Sequence, residues 1–224
     1  MGPEAERPDL AIALPAEVTL SFMPFASKPI KQQDYVENLD GLTGEALRAG
    51  HELLLHMPME PKGHADPGPG ALRVGMSRDE IRRDLKAAIG IFGRRIVGMN
   101  NHEGSRFTAD SQGMQAVVEV LKQHHLFLLD SRTDKDTVAY DVARANGVPA
   151  ISRKVFLDDN PPKDMAAARR AVMAQLAATE RAAEKDGYAV AIGHPHPATM
   201  KALEEWLPRA RGYRLVRLSE LVQQ

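Results

Sequence analysis

The sequence predicts an α/β fold on a parallel sheet, and two observations predict it. Short apolar runs of about four to seven residues alternate with longer stretches of helical periodicity almost without exception. In the longest helical stretch the apolar residues also fall on one stripe, as they do in a helix that crosses over a sheet. Strand, crossover helix and parallel strand, repeated about seven times, imply a sheet that is doubly wound or closed into a barrel.

Strands are expected at Val18 to Phe25, Leu53 to His56, Ile96 to Met99, Leu126 to Asp130, Val148 to Ser152, Tyr188 to Gly193 and Tyr213 to Arg217. Helices are expected at Tyr35 to Arg48, Arg78 to Phe92, Ser111 to His124, Val138 to Asn146, Asp164 to Lys185 and Ala198 to Leu207. Ser77 and Glu80 form a capping box ahead of the second of these. In the longest, Met165, Ala168, Val172, Leu176 and Ala183 make the apolar stripe, and Arg169, Arg170 and Glu180 face water. Pro61 to Gly75, rich in Gly and Pro and holding His64 and Asp66, reads as a loop covering a substrate cleft. With no repeat and no long linker, residues 1–224 read as a single domain.

Composition narrows the function. The 224 residues are 43% apolar and 26% charged, an ordinary globular balance that fills one core. The 29 basic and 30 acidic side chains nearly cancel with no basic block, which argues against nucleic acid as a partner. No apolar stretch approaches the roughly 20 residues of a membrane span, and MGPEAERPDL lacks the regions of a signal peptide. Without cysteine, any metal sits on His, Asp, Glu or water.

Four of the expected strands end in chemistry-bearing residues, which points to one shared active face. The densest is NNHEGSR, Asn100 to Arg106. There His102 and Glu103 offer ligands, Gly104 allows close backbone approach, and Asn100, Asn101, Ser105 and Arg106 can hydrogen-bond a sugar. The bland alternative is a polar turn into a helix capped near Thr108 or Ser111. His56, with Glu60 four residues on, can bind a divalent cation, or can simply cap a strand beside a solvated glutamate. Asp130 in DSRTD can orient an imidazole or bind a hydroxyl along with Arg132, or can pair with Arg132 or Arg153. His194, between glycine and Pro195, suits a general acid, and His196 points the other way in an extended loop. His51 reads as structural, and His124 and His125 as helix-dipole partners.

Taken in order, ALPAEVTLSFMPFA, GHELLLHMPMEP, GMNNHEGSRFT, FLLDSRT, VFLDDN and AIGHPHPAT resemble the divergent polysaccharide deacetylases, a branch of the NodB-like carbohydrate esterases. The resemblance runs from about Ala11 to Leu221. It implies a distorted parallel β/α barrel of about seven strands. It also implies a hydrolase that removes N-acetyl or O-acetyl groups from a glycan with a divalent metal, commonly zinc. By the same resemblance His56 is a metal ligand, Glu60 stands where the family has a second histidine, and His102 is the replacement ligand. His194 is then the general acid and Asp130 its supporting carboxylate. Family members open with a strand ending in Asp-Asp followed by Met-Gly or Leu-Gly. The resemblance therefore implies that Met1 and Gly2 are that dipeptide, that the chain as given lacks the first strand, and that the native protein is periplasmic or secreted. The competing expectation is a catalytically idle carbohydrate-binding or envelope-assembly protein that keeps the fold.

Overall fold

A computed structural model describes residues 8–25 and 32–222. Met1 and Gly2 lie outside the described residues. In chain order the elements are α1 (Pro8–Ile12), β1 (Leu20–Phe22), α2 (Gln32–Arg48), β2 (Leu53–Met59), α3 (Arg78–Phe92), β3 (Ile96–Glu103), α4 (Ser111–Gln123), β4 (Phe127–Asp130), α5 (Ala139–Ala145), β5 (Ala150–Ser152), β6 (Val155–Phe156), α6 (Met165–Asp186), β7 (Ala191–Ile192), α7 (Pro197–Trp206) and α8 (Leu218–Val222). The fold is α/β, with a five-stranded and a two-stranded sheet, both parallel throughout.

The contacts divide the chain into two compact units, one of residues 16–152 and 216–224, the other of 1–15 and 153–215. In the first, β1 to β5 stand in sequence order. β2 and β4 are buried on both faces, the mark of a parallel sheet covered by helices. The helices pack in succession, α3 on α4 and α4 on α5. The capping box forms as expected: Ser77 Oγ accepts from the Glu80 N–H, and Glu80 Oε2 accepts from the Ser77 N–H. The α4 cap is Asp110, not Thr108 or Ser111, and its carboxylate accepts from the N–H groups of Gln112 and Gly113. Thr108 instead donates its hydroxyl to Gly104 O at 2.8 Å. His51 is buried with Nδ1 2.7 Å from Val18 O, structural as expected.

Strand β3 runs four residues past its apolar stretch, to Glu103, because β2 pairs with it out to Met59↔Glu103. At Gly98 an added Cβ would lie 2.7 Å from the Phe127 ring, so glycine lets the aromatic of β4 lie over β3. The segment from Pro61 to Gly75 is irregular but tied to β2. Leu72 N–H donates to Pro58 O, Glu60 N–H to Leu72 O, and the Leu72 side chain is fully buried.

In the second unit β6 pairs with β7, and Val155, Leu157, Val172, Leu176 and Ala202 form a core beneath α6 and α7. Ala168, Val172 and Leu176 of the expected stripe are buried, whereas Met165 at the helix start is exposed. Arg170 is exposed as expected, whereas Arg169 and Glu180 are half-buried and paired with α7. Arg169 pairs with Glu205 at 2.6 Å and Glu180 accepts from the Trp206 indole N–H at 2.8 Å, locking α6 to α7. The expected strand Tyr213 to Arg217 does not form among the described residues, and β6 was not expected as a strand. Alternation without a neighbouring strand to pair with makes no ladder.

Candidate functional site

In the five-stranded unit the register of β2 and β3 sets His56 opposite Asn100, and Pro58 opposite His102. His56 Nδ1 lies 3.0 Å from Asn100 Oδ1. His102, two residues along the same face, puts Nδ1 3.1 Å from His56 Nε2, with the rings edge to face. A relay fixes the protons. Ser131 Oγ donates to Asn101 O at 3.0 Å, so it accepts from Asn100 Nδ2 at 3.2 Å. That turns Asn100 Oδ1 toward His56, whose Nδ1 therefore carries the hydrogen and whose Nε2 presents a lone pair to His102. Two imidazole nitrogens 3.1 Å apart share either a proton or a cation. At ordinary zinc–nitrogen lengths two tetrahedral ligands stand roughly 3.3 Å apart, so the pair fits a divalent metal.

The sequence expectation of His56, His102 and Glu60 as one ligand set does not survive in full. Glu60 lies four residues beyond His56, about 13 Å along an extended strand. Its two oxygens hold Arg106 Nη1 at 3.0 Å and the Val74 N–H at 2.8 Å. The carboxylate anchors a loop.

The residues expected to bind substrate have structural partners. Asn100 and Asn101 are buried, and Asn101 spans the ends of two strands by donating to Glu103 O and accepting from the Ser131 N–H. Ser105 Oγ accepts from the Lys62 N–H at 2.8 Å, and Lys62 Nζ pairs with Asp134 at 2.8 Å, which ties the Pro61 to Gly75 segment down. Arg106 and Arg132 remain exposed, Arg106 with Glu60 as its partner. Gly104 has φ 87°, and a Cβ there would sit 2.8 Å from Met59 Cβ, so the close approach it permits is to β2. Two non-glycine residues at strand ends also hold positive φ, Glu103 at 52° and Arg132 at 48°. Such backbone strain gathers where side chains are aimed for a purpose.

Asp130, at the end of β4, is fully buried. It accepts from the Arg132 N–H at 2.8 Å and from the Thr137 hydroxyl at 3.1 Å. Burial pushes its carboxyl above the usual range, against the pull of those hydrogen bonds.

In the other unit the carboxylate on His194 is Asp158, not Asp130. The register Phe156↔Ile192, continued two residues, sets Asp158 level with His194. Asp158 Oδ1 lies 3.0 Å from His194 Nδ1, while Oδ2 accepts from the His194 N–H at 2.8 Å and the Thr199 hydroxyl at 2.7 Å. Burial alone raises this carboxyl, but the bonds from His194 and Thr199 outweigh it and hold the group below the usual range. The carboxylate thus orients the imidazole through Nδ1. His196, expected to point away, lies with its ring 5.2 Å from that of His194. Sequence reasoning missed Asp158, and the available signal was its place two residues past a short apolar pair, as His194 is two past Ile192.

Asp158 and Asp159 also line a cleft of about 440 Å³ with Arg153, Phe156, Pro161 and Gln175. A larger cleft, about 770 Å³, lies in the five-stranded unit at the strand starts, among Ile96, Phe127 and Pro149, away from the polar strand ends.

The chain is similar to known proteins. A family model described as divergent polysaccharide deacetylase matches residues 1–222. The uncharacterized protein YibQ of Escherichia coli is 34% identical over 194 residues, 87% of this chain and 56% of its own length. An uncharacterized protein of Haemophilus influenzae is 36% identical over 200 residues, 89% of this chain and 65% of its own. The chain thus spans between 56% and 65% of these curated relatives. Among solved structures, an uncharacterized protein from Agrobacterium tumefaciens C58 aligns with a TM-score of 0.82 at 25% identity, covering 96% of this chain and 82% of that one. A mutant of a CE4 family pseudoenzyme aligns at 0.53 with 14% identity, over 96% of this chain and 61% of that one, a likeness of fold alone. The parallel five-stranded sheet with a second sheet agrees with the distorted NodB-like arrangement expected from the sequence.

Proposed function

The chain belongs to the divergent polysaccharide deacetylase family, and we propose that it serves a metal-dependent hydrolase that removes acetyl groups from a glycan of the cell envelope. The observation that carries this reading is the pair of ring nitrogens, His56 Nε2 and His102 Nδ1, 3.1 Å apart on adjacent strands. A divalent metal held there, zinc foremost, would supply polarisation of the acetyl carbonyl and acidify a water. The chain's own residues supply the rest. Asn100 and Ser131 keep the proton on His56 Nδ1, so Nε2 stays a lone-pair donor. In the other unit Asp158 backs His194 through Nδ1, which suits that imidazole to the general-acid role that the family resemblance implies for it.

The alternative, a carbohydrate-binding or envelope-assembly protein without catalysis, draws support from Glu60, whose carboxylate holds a loop instead of a ligand position. Acetate release from N-acetylated and O-acetylated oligosaccharides separates the two. The enzyme reading expects release that a chelator abolishes, with turnover down about 10²–10⁴-fold in His194→Ala. Glycan binding with no acetate release by the zinc-loaded chain overturns it in favour of the binder.

A further inference from the structure

We propose that Asp158, His194 and His196 form a second cation site, which takes a late first-row transition metal and silences the proton donor. The silencing rests on the role of His194 given above; the site itself does not. Each residue offers a ligand atom, and these three atoms lie within 4.8 Å of one another. Among the described residues this is the one group of three or more His, Asp or Glu so placed.

A second observation points to a ligand. His196 Nδ1 is sealed from solvent with no hydrogen-bond partner. A buried polar atom of this kind is left in native structures where a water or an ion completes it. The loop is also stiff, since Pro195 and Pro197 flank His196 and fix φ on both sides of it, and His196 itself is the N-cap of α7. Little conformational freedom is left to lose on binding. The path in is open at His194, whose side chain is 40% exposed, while Asp158 beneath it is 1% exposed.

The donor set decides the ligand class. Two imidazoles and one carboxylate suit zinc, nickel or copper, and suit calcium or magnesium poorly, since those prefer shells of oxygen. Asp158 Oδ2 keeps its bonds to the His194 N–H and Thr199, which leaves Oδ1, now on His194 Nδ1, as the oxygen that turns to the cation. A general acid at His194 needs both ring nitrogens protonated. Ligation of either one releases a proton to solvent and leaves a neutral ring that has none to give near neutral pH. Excess metal therefore inhibits, and loading the pair His56 and His102 is a separate event.

The test titrates the metal-free chain with zinc by calorimetry, beside His196→Gln and His56→Gln. Two binding events are expected, one weakened at least tenfold by His196→Gln and the other by His56→Gln. Both events unchanged in His196→Gln overturn the proposal. If only the event that responds to His196→Gln is seen, the second site stands and the reading of His56 and His102 falls. The unsubstituted chain gives an answer that does not depend on any variant folding. Substoichiometric paramagnetic nickel should broaden the ring proton signals of His194 and His196, and sharp signals from both at one equivalent beyond saturation of the other histidines overturn the site.

Discussion

A neutral amide backs His56 and a buried carboxylate backs His194. The first orients its ring through a hydrogen bond without charge, and the second sets a negative oxygen against its ring. The acids carry opposite signatures with pH. Asp158 is held below its unfolded value of 3.8, so the stability it contributes is full above that value and is lost as pH falls through the lower folded value. Asp158→Asn should therefore lower the melting temperature at pH 6 and lessen the fall between pH 5 and pH 3. An equally steep fall would show that the carboxylate is not the titrating group. Asp130 is raised by burial, so the protonated form is the favoured one, and stability drains as pH climbs through its folded value. Asp130→Asn should raise the melting temperature at pH 7 relative to that at pH 4, compared with the parent, and an unchanged difference would refute the assignment. Of these residues His56, His102 and His194 were legible, because an imidazole at the end of an apolar run stands out in a sequence. Asp158 was not, since an acid flanked by another acid looks like a solvated turn until strand register sets it against a histidine.

At the scale of elements, the polar end of β3 is held by neighbours on both sides: β2 pairs to its last residue, and Asn101 and Thr133 lash it to the segment after β4. Gly104 closes that end against Met59. Gly104→Ala meets a left-handed backbone, worth about 1–2 kcal/mol, and a 2.8 Å contact besides. Chemical denaturation should show a loss of at least that size, and a change under about 0.5 kcal/mol would mean the strand end yields freely. Helices were the legible elements. The Ser77 and Glu80 box and the spacing of Ala168, Val172 and Leu176 act locally, within a few residues of the structure they specify. Strand lengths were not, because a ladder continues while its neighbour does, which is how His102 and Glu103 come to lie inside β3. The two-residue β6 had no pattern to display.

For the whole molecule, the two units interleave in sequence: the chain passes between them near residues 15, 152 and 215. Neither unit is one uninterrupted stretch of chain. We propose that they unfold in a single cooperative transition, as one domain does, which calorimetry checks by agreement of the measured and van't Hoff enthalpies; two resolved peaks would refute it. The crossing near 215 returns α8 to the five-stranded unit, where the Leu218 N–H donates to Thr19 Oγ1 and Ser219 bonds to Glu52. This has a consequence for synthesis on the ribosome. Glu52 emerges long before Ser219, with 167 residues separating them, and at about 5–20 residues per second that delay is roughly ten to thirty seconds. During that interval the nascent chain carries the start of β2 with its last partners still unmade, so the five-stranded unit is finished only after the sequence of the other unit has been translated.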